Sequence, residues 1–362
     1  MRSEVAMRLP RLRVVQPGEV HPAIARAKAE RGARRSLAIL SISVAALTMI
    51  GLVMVLSASS VSAFAEYGSS FLFFKRQLLY AAIGTGAFLG GSRLRYQVWQ
   101  RAWMPLLAVT VVLLLLVLHA PSAVIAGGAA RWIQVGPVSV QPSELAKFAV
   151  VAAAAAILTR NLPYLDSEPL RWMVPMFFLV GGISLLILVQ PDLGTMMILA
   201  LTSFLLLFVA GARLRLLFTS AFLSVGAGMA LILGEHYRRV RFFAFLHPWS
   251  DPRNTGYQIV QSLIALGSGH LFGVGLGASR QKWMYVPNAH TDFIFAIMGE
   301  ELGLIGEIVV LGLFVALIYA GIRIALRAPD AFGRLLAAGI TAWLGLQALV
   351  NLGAVTGILP IT

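Results

Sequence analysis

Long stretches of uncharged, mostly apolar residues alternate along this chain with short polar or basic segments. A helix needs about 20 apolar residues to cross the hydrocarbon core of a bilayer. Six stretches are clear, and three are weaker because they are short or carry charged residues. The nine predicted spans are residues 37–56, 77–92, 102–120, 145–159, 172–190, 193–212, 216–234, 293–322 and a segment from 335 onward.

The composition agrees with this pattern and excludes a water-soluble fold. Apolar residues make up 59% of the 362 residues and charged residues only 12%, with a mean hydropathy of +0.83. Soluble domains typically carry about 25% charged residues. We therefore predict an all-α polytopic membrane protein. The absence of cysteine excludes disulfides, thiolate nucleophiles and cysteine-ligated metals, so any chemistry must use oxygen and nitrogen groups.

Basic residues predict the orientation in the membrane. The first 35 residues carry nine basic and three acidic side chains, so the N-terminus should be cytoplasmic. We predict a basic cytoplasmic arm over residues 1–35 and a membrane domain over 36–362. The net charge of +14 favours anionic lipid headgroups or phosphorylated lipid-linked substrates as partners, rather than nucleic acid.

One predicted outward loop, residues 235–292, is far longer than the other connections, and long loops in compact proteins are usually functional. Its tryptophans and tyrosines argue against disorder. Residues 257–265 could form an amphipathic helix, and we expect the loop to fold back onto the membrane surface. The glycine-rich segment 267–277 matches no phosphate-binding motif, so we interpret it as tight backbone packing.

Charged residues near the spans are candidates for function, because charges at membrane depth are costly. Asp292 lies where the long loop meets the next span and is either a helix cap or a functional group. Asp192 fits the role of a helix N-cap better than that of a catalytic residue. Lys147 lies about one turn inside a span and needs a partner or a wet cavity. With Arg76 and Arg131 it could neutralise a phosphate, although snorkelling to headgroups is equally compatible.

No histidine pattern of a dedicated metal site is present, although four of the six histidines lie in the long loop. A divalent ion held by a pyrophosphate would leave no such motif. We therefore assign no metal ligands.

Several short segments together resemble the SEDS family, the FtsW/RodA polymerases of bacterial cell-wall synthesis. The resemblance covers the chain from about residue 37 to the end, and the matching segments occur in the same order as in the family. Two of the segments, 248–252 and 275–282, are most similar to the division members, FtsW. The matching segments are 74–77, 131–147, 190–195, 248–252, 275–282, 287–296, 299–303 and 351–360.

The resemblance implies a SEDS-type bundle of ten spans with a large extracytoplasmic loop between spans seven and eight. Nine spans are visible, so we expect this sequence to be a fragment that lacks the last one. Relatives often carry acidic residues where this chain has Met284 and Asn288. The implied location is the bacterial cytoplasmic (inner) membrane.

The implied reaction is polymerisation of lipid II, in which a sugar C4 hydroxyl attacks the anomeric carbon of a second molecule and polyprenyl pyrophosphate leaves. Such an inverting glycosyltransferase needs one base and cations for the leaving group, since a pyrophosphate departs unprotonated. Asp292 is the predicted catalytic base. The predicted substrate-binding residues are Arg76, Gln77, Arg131, Gln141, Glu144, Lys147, Asp251, Gln281, Lys282 and His290.

The resemblance also implies partners: a class B penicillin-binding protein, other division proteins and membrane lipids. No cofactor is assigned, with Mg²⁺ or Mn²⁺ on the substrate pyrophosphate as the one candidate.

Two other functions remain open. A lipid II flippase would use the intramembrane charges of Glu144, Lys147, Glu300 and Glu301, although the matched inverted repeats common in transporters are not found. A scaffold that recruits division proteins is the other reading, and it is compatible with an enzyme.

Overall fold

The computed structural model describes residues 22–119, 123–126, 129–283, 285–287 and 289–360. This part of the chain is built mainly from α-helices. They are α1 Pro22–Tyr67, α2 Leu72–Arg93, α3 Gln97–His119, α4 Pro142–Asn161, α5 Pro169–Val189, α6 Leu193–Ala210, α7 Leu214–Gly234, α8 His236–Leu246, α9 Tyr257–Ser268, α10 Ile294–Leu326 and α11 Ala331–Val355. Two short 3₁₀ helices, Leu162–Tyr164 and Pro248–Ser250, follow α4 and α8.

Eight of the described helices are long and apolar enough to cross a membrane: α1, α3 to α7, α10 and α11. They match eight of the nine predicted spans and confirm a helical, multi-pass membrane protein. The other predicted span, 77–92, lies within α2. This helix carries Lys75, Arg76 and Arg93 and buries none of its residues, so a count of nine stays a prediction.

The first helix extends beyond the predicted span toward the N-terminus. Helix α1 begins at Pro22, so the predicted boundary between the arm and the membrane domain, after residue 35, falls inside a continuous helix. The rest of the predicted arm, residues 1–21, lies outside the described residues.

Helix α4 forms the centre of the larger hydrophobic core, where α3, α5, α6 and α11 pack around it. It buries most of its length, and Ala152 through Ala156 are each at most 1% exposed. Small side chains allow helix backbones to approach closely in membrane proteins. The alanine run thus explains why a helix with few large apolar residues lies in the interior.

A second hydrophobic core joins α1, α9, α10 and the end of the long loop. It includes Met54, Ala265, Phe293 and Ile297. Helix α10 is interrupted in this core at Gly303, whose φ of 66° and ψ of −170° are not helical. Non-helical backbone at membrane depth is tolerated where it is buried in protein, as it is here.

The long loop folds against this break in α10. Helix α9 confirms the predicted amphipathic helix. The glycine-rich segment after it packs its backbone on α10, since a Cβ at Gly273 would clash with the carbonyl oxygen of Glu301. The amide of Leu304 donates to the carbonyl oxygen of His270 at 2.9 Å. The predicted tight backbone packing is confirmed.

Three short antiparallel strands, which the sequence analysis did not predict, connect α3 to α4. They are β1 Ala123–Ala126, β2 Ala129–Val135 and β3 Val138–Val140. Gly136, at φ 60°, forms the turn between β2 and β3, and Ile133 pairs with Val140. The Gly-Pro pair at 136–137, between β-branched residues, is a sequence signal for a turn between two strands. The strands position Arg131 and lead directly into α4.

Candidate active site

An open cavity of about 240 Å³ lies beside Asp292, between α1, α10 and α11. Each helix contributes one face at helical spacing. The lining residues are Leu47, Ile50, Gly51 and Met54 of α1; Thr291, Asp292, Ile294, Phe295, Met298, Val310 and Phe314 of α10 and the residues before it; and Ala348, Asn351, Leu352 and Val355 of α11. The cavity is therefore mainly apolar, with very few polar groups.

Asp292 lies on the rim of this cavity and its side chain is exposed. Phe293 occupies the N-cap position of α10. Asp292 is thus one residue outside the cap position. An exposed carboxylate beside an open cavity can accept a proton from a hydroxyl group that enters it.

His290 lies close to Asp292 and to the ends of the first two helices. Its ring stacks on Phe73 of α2, with ring centroids 4.4 Å apart. Burial lowers the pKa of His290, while the negative charges of Glu66 and Asp292 act in the opposite direction. The loop, α1 and α2 therefore meet at this point.

Arg76 and Gln77 lie on α2, and both side chains are exposed. Neither lines the Asp292 cavity as the structure describes it. Because α2 buries none of its residues, these side chains can move to meet a ligand at the surface.

Arg131 is bound to the turn between α5 and α6. Its Nε donates to the carbonyl oxygen of Gln190 at 3.0 Å, and its guanidinium also donates to the carbonyl of Pro191. The same turn holds Asp192, which caps α6 by accepting from the amide of Thr195 at 3.1 Å, as predicted. Gln141 donates to Asp192 at 3.3 Å, so Arg131 and Gln141 hold one turn.

Lys147 is buried in α4, and its ammonium group has two hydrogen-bond partners. It lies 2.8 Å from Glu144 and 2.9 Å from the amide oxygen of Gln347 on α11, and it also lies 5.4 Å from the ring centre of Trp343. The predicted need for a partner is confirmed. Gln347 and Trp343 were not predicted as partners of Lys147, although a polar residue such as Gln347 within an apolar span is a recognisable signal.

Gln281 and Lys282 lie in a second buried network, at the break in α10. Lys282 is 5% exposed, and its Nζ lies 3.4 Å from Glu301 and 2.6 Å from the carbonyl oxygen of Gly277. The backbone amide of Gln281 donates to the carboxylate of Glu300 at 3.3 Å. These contacts join the glycine-rich segment to α10.

Asp251 organises a turn in the long loop. Its carboxylate accepts from the side-chain amide of Asn254 at 3.0 Å and from the backbone amide of Thr255 at 3.3 Å. The hydrogen bond from Thr255 is the main reason why the pKa of Asp251 is lowered.

The predicted site residues thus fall into separate groups. Within the described residues, Asp292 alone of the predicted set lines the cavity, and His290 lies next to it. Arg131 and Gln141, Glu144 and Lys147, and Gln281 and Lys282 each belong to a different network. No cluster of three or more potential metal ligands occurs in the described part of the chain.

Comparisons with known proteins agree with this architecture. A family model of cell cycle proteins, FtsW/RodA/SpoVE, matches residues 38–362. The chain is 43% identical to Stage V sporulation protein E of Bacillus subtilis over 317 residues, which cover 87% of this chain and 86% of the relative. It is 42% identical to the probable peptidoglycan glycosyltransferase FtsW of Geobacter metallireducens over 331 residues, covering 90% and 87%.

Solved structures are similar as well. A chain from a structure described as "Structural coordination of polymerization and crosslinking by a peptidoglycan synthase complex" superposes with a TM-score of 0.72 at 28% identity, covering 89% of this chain and 88% of that one. The rod shape determining protein RodA of Thermus thermophilus gives a TM-score of 0.63 at 28% identity, covering 89% and 86%.

Proposed function

This chain belongs to the FtsW/RodA/SpoVE family, and from that premise we propose that it is a peptidoglycan glycosyltransferase that polymerises lipid II during cell division. The single observation that supports the chemistry is the exposed Asp292 carboxylate on the rim of an open cavity. The relatives named FtsW favour the division role.

The proposed reaction exchanges one bond for another at an anomeric carbon. The C4 hydroxyl of the acceptor sugar transfers its proton to the carboxylate of Asp292 while its oxygen forms a bond to the anomeric carbon of the donor. The bond from that carbon to the pyrophosphate breaks on the opposite face, so the configuration inverts and polyprenyl pyrophosphate leaves with the electron pair. A second acid is unnecessary because this leaving group departs as an anion.

Positive charge must stabilise the departing pyrophosphate. Arg76 is the most available of the proposed cations, because it is exposed on α2. Arg131 donates to two backbone carbonyls, so its contact with phosphate oxygens would use the remaining N–H groups of its guanidinium. Lys147 is buried against Glu144, and we propose that it supports the site from within rather than by direct contact.

A divalent cation, Mg²⁺ or Mn²⁺, would be held by the substrate's pyrophosphate, since the described residues form no metal cluster. We propose the bacterial inner membrane as the location, with the N-terminus in the cytoplasm and the Asp292 cavity at the opposite face. A class B penicillin-binding protein is the proposed partner, supported by the similarity to a peptidoglycan synthase complex.

The test is a polymerisation assay on purified protein with lipid II and no added nucleotide. Asp292→Asn should reduce turnover by about 10²–10⁴-fold, the usual contribution of a general base. Glu235→Gln is the matched control, because it removes an exposed carboxylate from the other end of the same loop. Equal activity of Asp292→Asn and wild type would overturn the proposal. Lipid II transfer between the leaflets of proteoliposomes without polymer would favour a flippase instead.

A further inference from the structure

Asn351 is a polar side chain in an unfavourable place. It lies in α11, within a helix that is long and apolar enough to span the membrane, and its side chain is exposed. No hydrogen bond joins its amide group to another residue in the described part of the chain. An amide left unpaired in an apolar environment is destabilising, so a position of this kind points to a polar ligand or a wet cavity.

The side chain lines the Asp292 cavity, where it is one of very few polar groups. Of the lining residues, only Asn351, Thr291 and Asp292 have polar side chains. Ligand sites are typically apolar pockets in which a few placed polar groups fix the orientation of the ligand. Asn351 lies on α11 and Asp292 lies in the segment before α10, so they can contact two parts of one bound group.

The charge of the cavity indicates the kind of group that fits. No lysine or arginine lines it in the described residues, and the carboxylate of Asp292 repels anions. A pyrophosphate would therefore bind poorly here. An uncharged sugar suits the site, because an amide both donates to and accepts from hydroxyl and acetamido groups.

We propose that Asn351 is a substrate-binding residue that holds the acceptor saccharide of lipid II, with its hydroxyl directed to Asp292. The inference rests on the proposed function, because it takes Asp292 as the base. It adds that this cavity holds the sugar that loses its proton and not the sugar that carries the departing pyrophosphate.

The experiment compares wild type, Asn351→Leu and Leu349→Ala in the polymerisation assay. Leu349 is the matched control, since it lies on the same helix and is 61% exposed but does not line the cavity. Asn351→Leu should raise the KM for lipid II about tenfold, as expected for lost hydrogen bonds, with a smaller change in kcat. Leu349→Ala should leave both values unchanged.

Thermal unfolding separates a binding role from a structural one. Removing an unpaired amide from a membrane helix should leave the unfolding midpoint of Asn351→Leu unchanged or higher. A fall in the midpoint together with a parallel loss of kcat and no change in KM would overturn the inference, because it would show a structural role. An unchanged KM would overturn it as well.

A binding measurement keeps this inference separate from the proposed function. Equilibrium binding of fluorescent lipid II is measured in the Asp292→Asn background, with and without Asn351→Leu, so that no turnover is needed. Weaker binding on adding Asn351→Leu supports the role of Asn351 even if the polymerase assignment fails. Suppose that Asp292→Asn abolishes polymerisation, and that Asp292→Asn binds lipid II equally tightly with and without Asn351→Leu. Only the inference about Asn351 then fails.

Discussion

Asp292 and the pair Glu300 and Glu301 are close in the chain but have opposite surroundings. Asp292 is exposed on the rim of an open cavity. Glu300 and Glu301 are 2% and 1% exposed and are surrounded by donors. Glu301 accepts from the hydroxyl of Ser57 at 2.6 Å, and Glu300 accepts from the hydroxyl of Ser279 at 2.5 Å.

The difference shows how acidic residues in a membrane protein divide between function and structure. An acid at membrane depth is a functional candidate by default. A buried acid whose oxygens already accept hydrogen bonds cannot accept a substrate's proton without losing those partners. The networks of Glu300 and Glu301 instead join α1, the glycine-rich segment and the break in α10, and thereby fix the segment that leads to Asp292.

Neutralising one acid of each kind should affect stability very differently. Glu301→Gln leaves the buried ammonium of Lys282 without its counter-charge, which should lower the free energy of unfolding by about 3–5 kcal/mol. Asp292→Asn should change it by less than about 0.5 kcal/mol, because its side chain is exposed. Denaturant unfolding of the purified protein in detergent measures both. Equal destabilisation by the two variants would contradict the distinction.

Removing both charges of the Lys282–Glu301 pair should cost less stability than removing one of them. Lys282→Met combined with Glu301→Leu removes both charges, and buried ion pairs can often be replaced by apolar residues with little loss. The double variant should recover at least half of the stability lost in Glu301→Gln. The double-mutant cycle also requires the single variants Lys282→Met and Glu301→Leu. If their losses of stability add fully in the double variant, the two side chains do not interact.

The sequence predicted the fold well where a single segment carries the signal. Long apolar runs indicate spans by themselves. The amphipathic spacing of residues 257–265 predicted α9, and the glycines of 267–277 predicted close backbone packing. The strands between α3 and α4 were missed because they are only three to seven residues long, which gives little periodicity to detect.

The surroundings of the site residues were much harder to predict. Lys147 meets Gln347, which lies 200 residues further along the chain, and Ser57 meets Glu301 across 244 residues. Such pairings depend on which helices become neighbours, and apolar spans resemble one another too closely in sequence to specify this. Sequence motifs predicted Lys282 and Gln281 as substrate-binding residues, and only the packing shows that Lys282 is buried and that the backbone amide of Gln281 is bonded to α10.

The smallest expected effect is a pH dependence that links His290 to Asp292 and not to the buried acids. Burial lowers the pKa of His290 below the value of about 6.5 that it has when unfolded. The unfolded chain therefore binds the proton more readily. The stability that neutral His290 contributes is complete above that pH, and it is lost as the pH falls toward the lowered pKa of the folded state. His290→Gln should flatten this part of the profile of unfolding midpoint against pH, and His247→Gln, an exposed histidine of the same loop, should not.

The charge of Asp292 raises the pKa of His290, in opposition to burial. Asp292→Asn should therefore lower the pKa of His290 further and increase the loss of stability at acidic pH. Glu66→Gln should act in the same direction, because its charge has the same effect on His290. Glu300→Gln should leave the pKa of His290 unchanged, since that carboxylate is enclosed by its own donors. An NMR titration of the His290 ring in each variant measures the pKa directly. A pKa that moves with Glu300 and not with Asp292 would reverse the roles assigned to the exposed and buried acids.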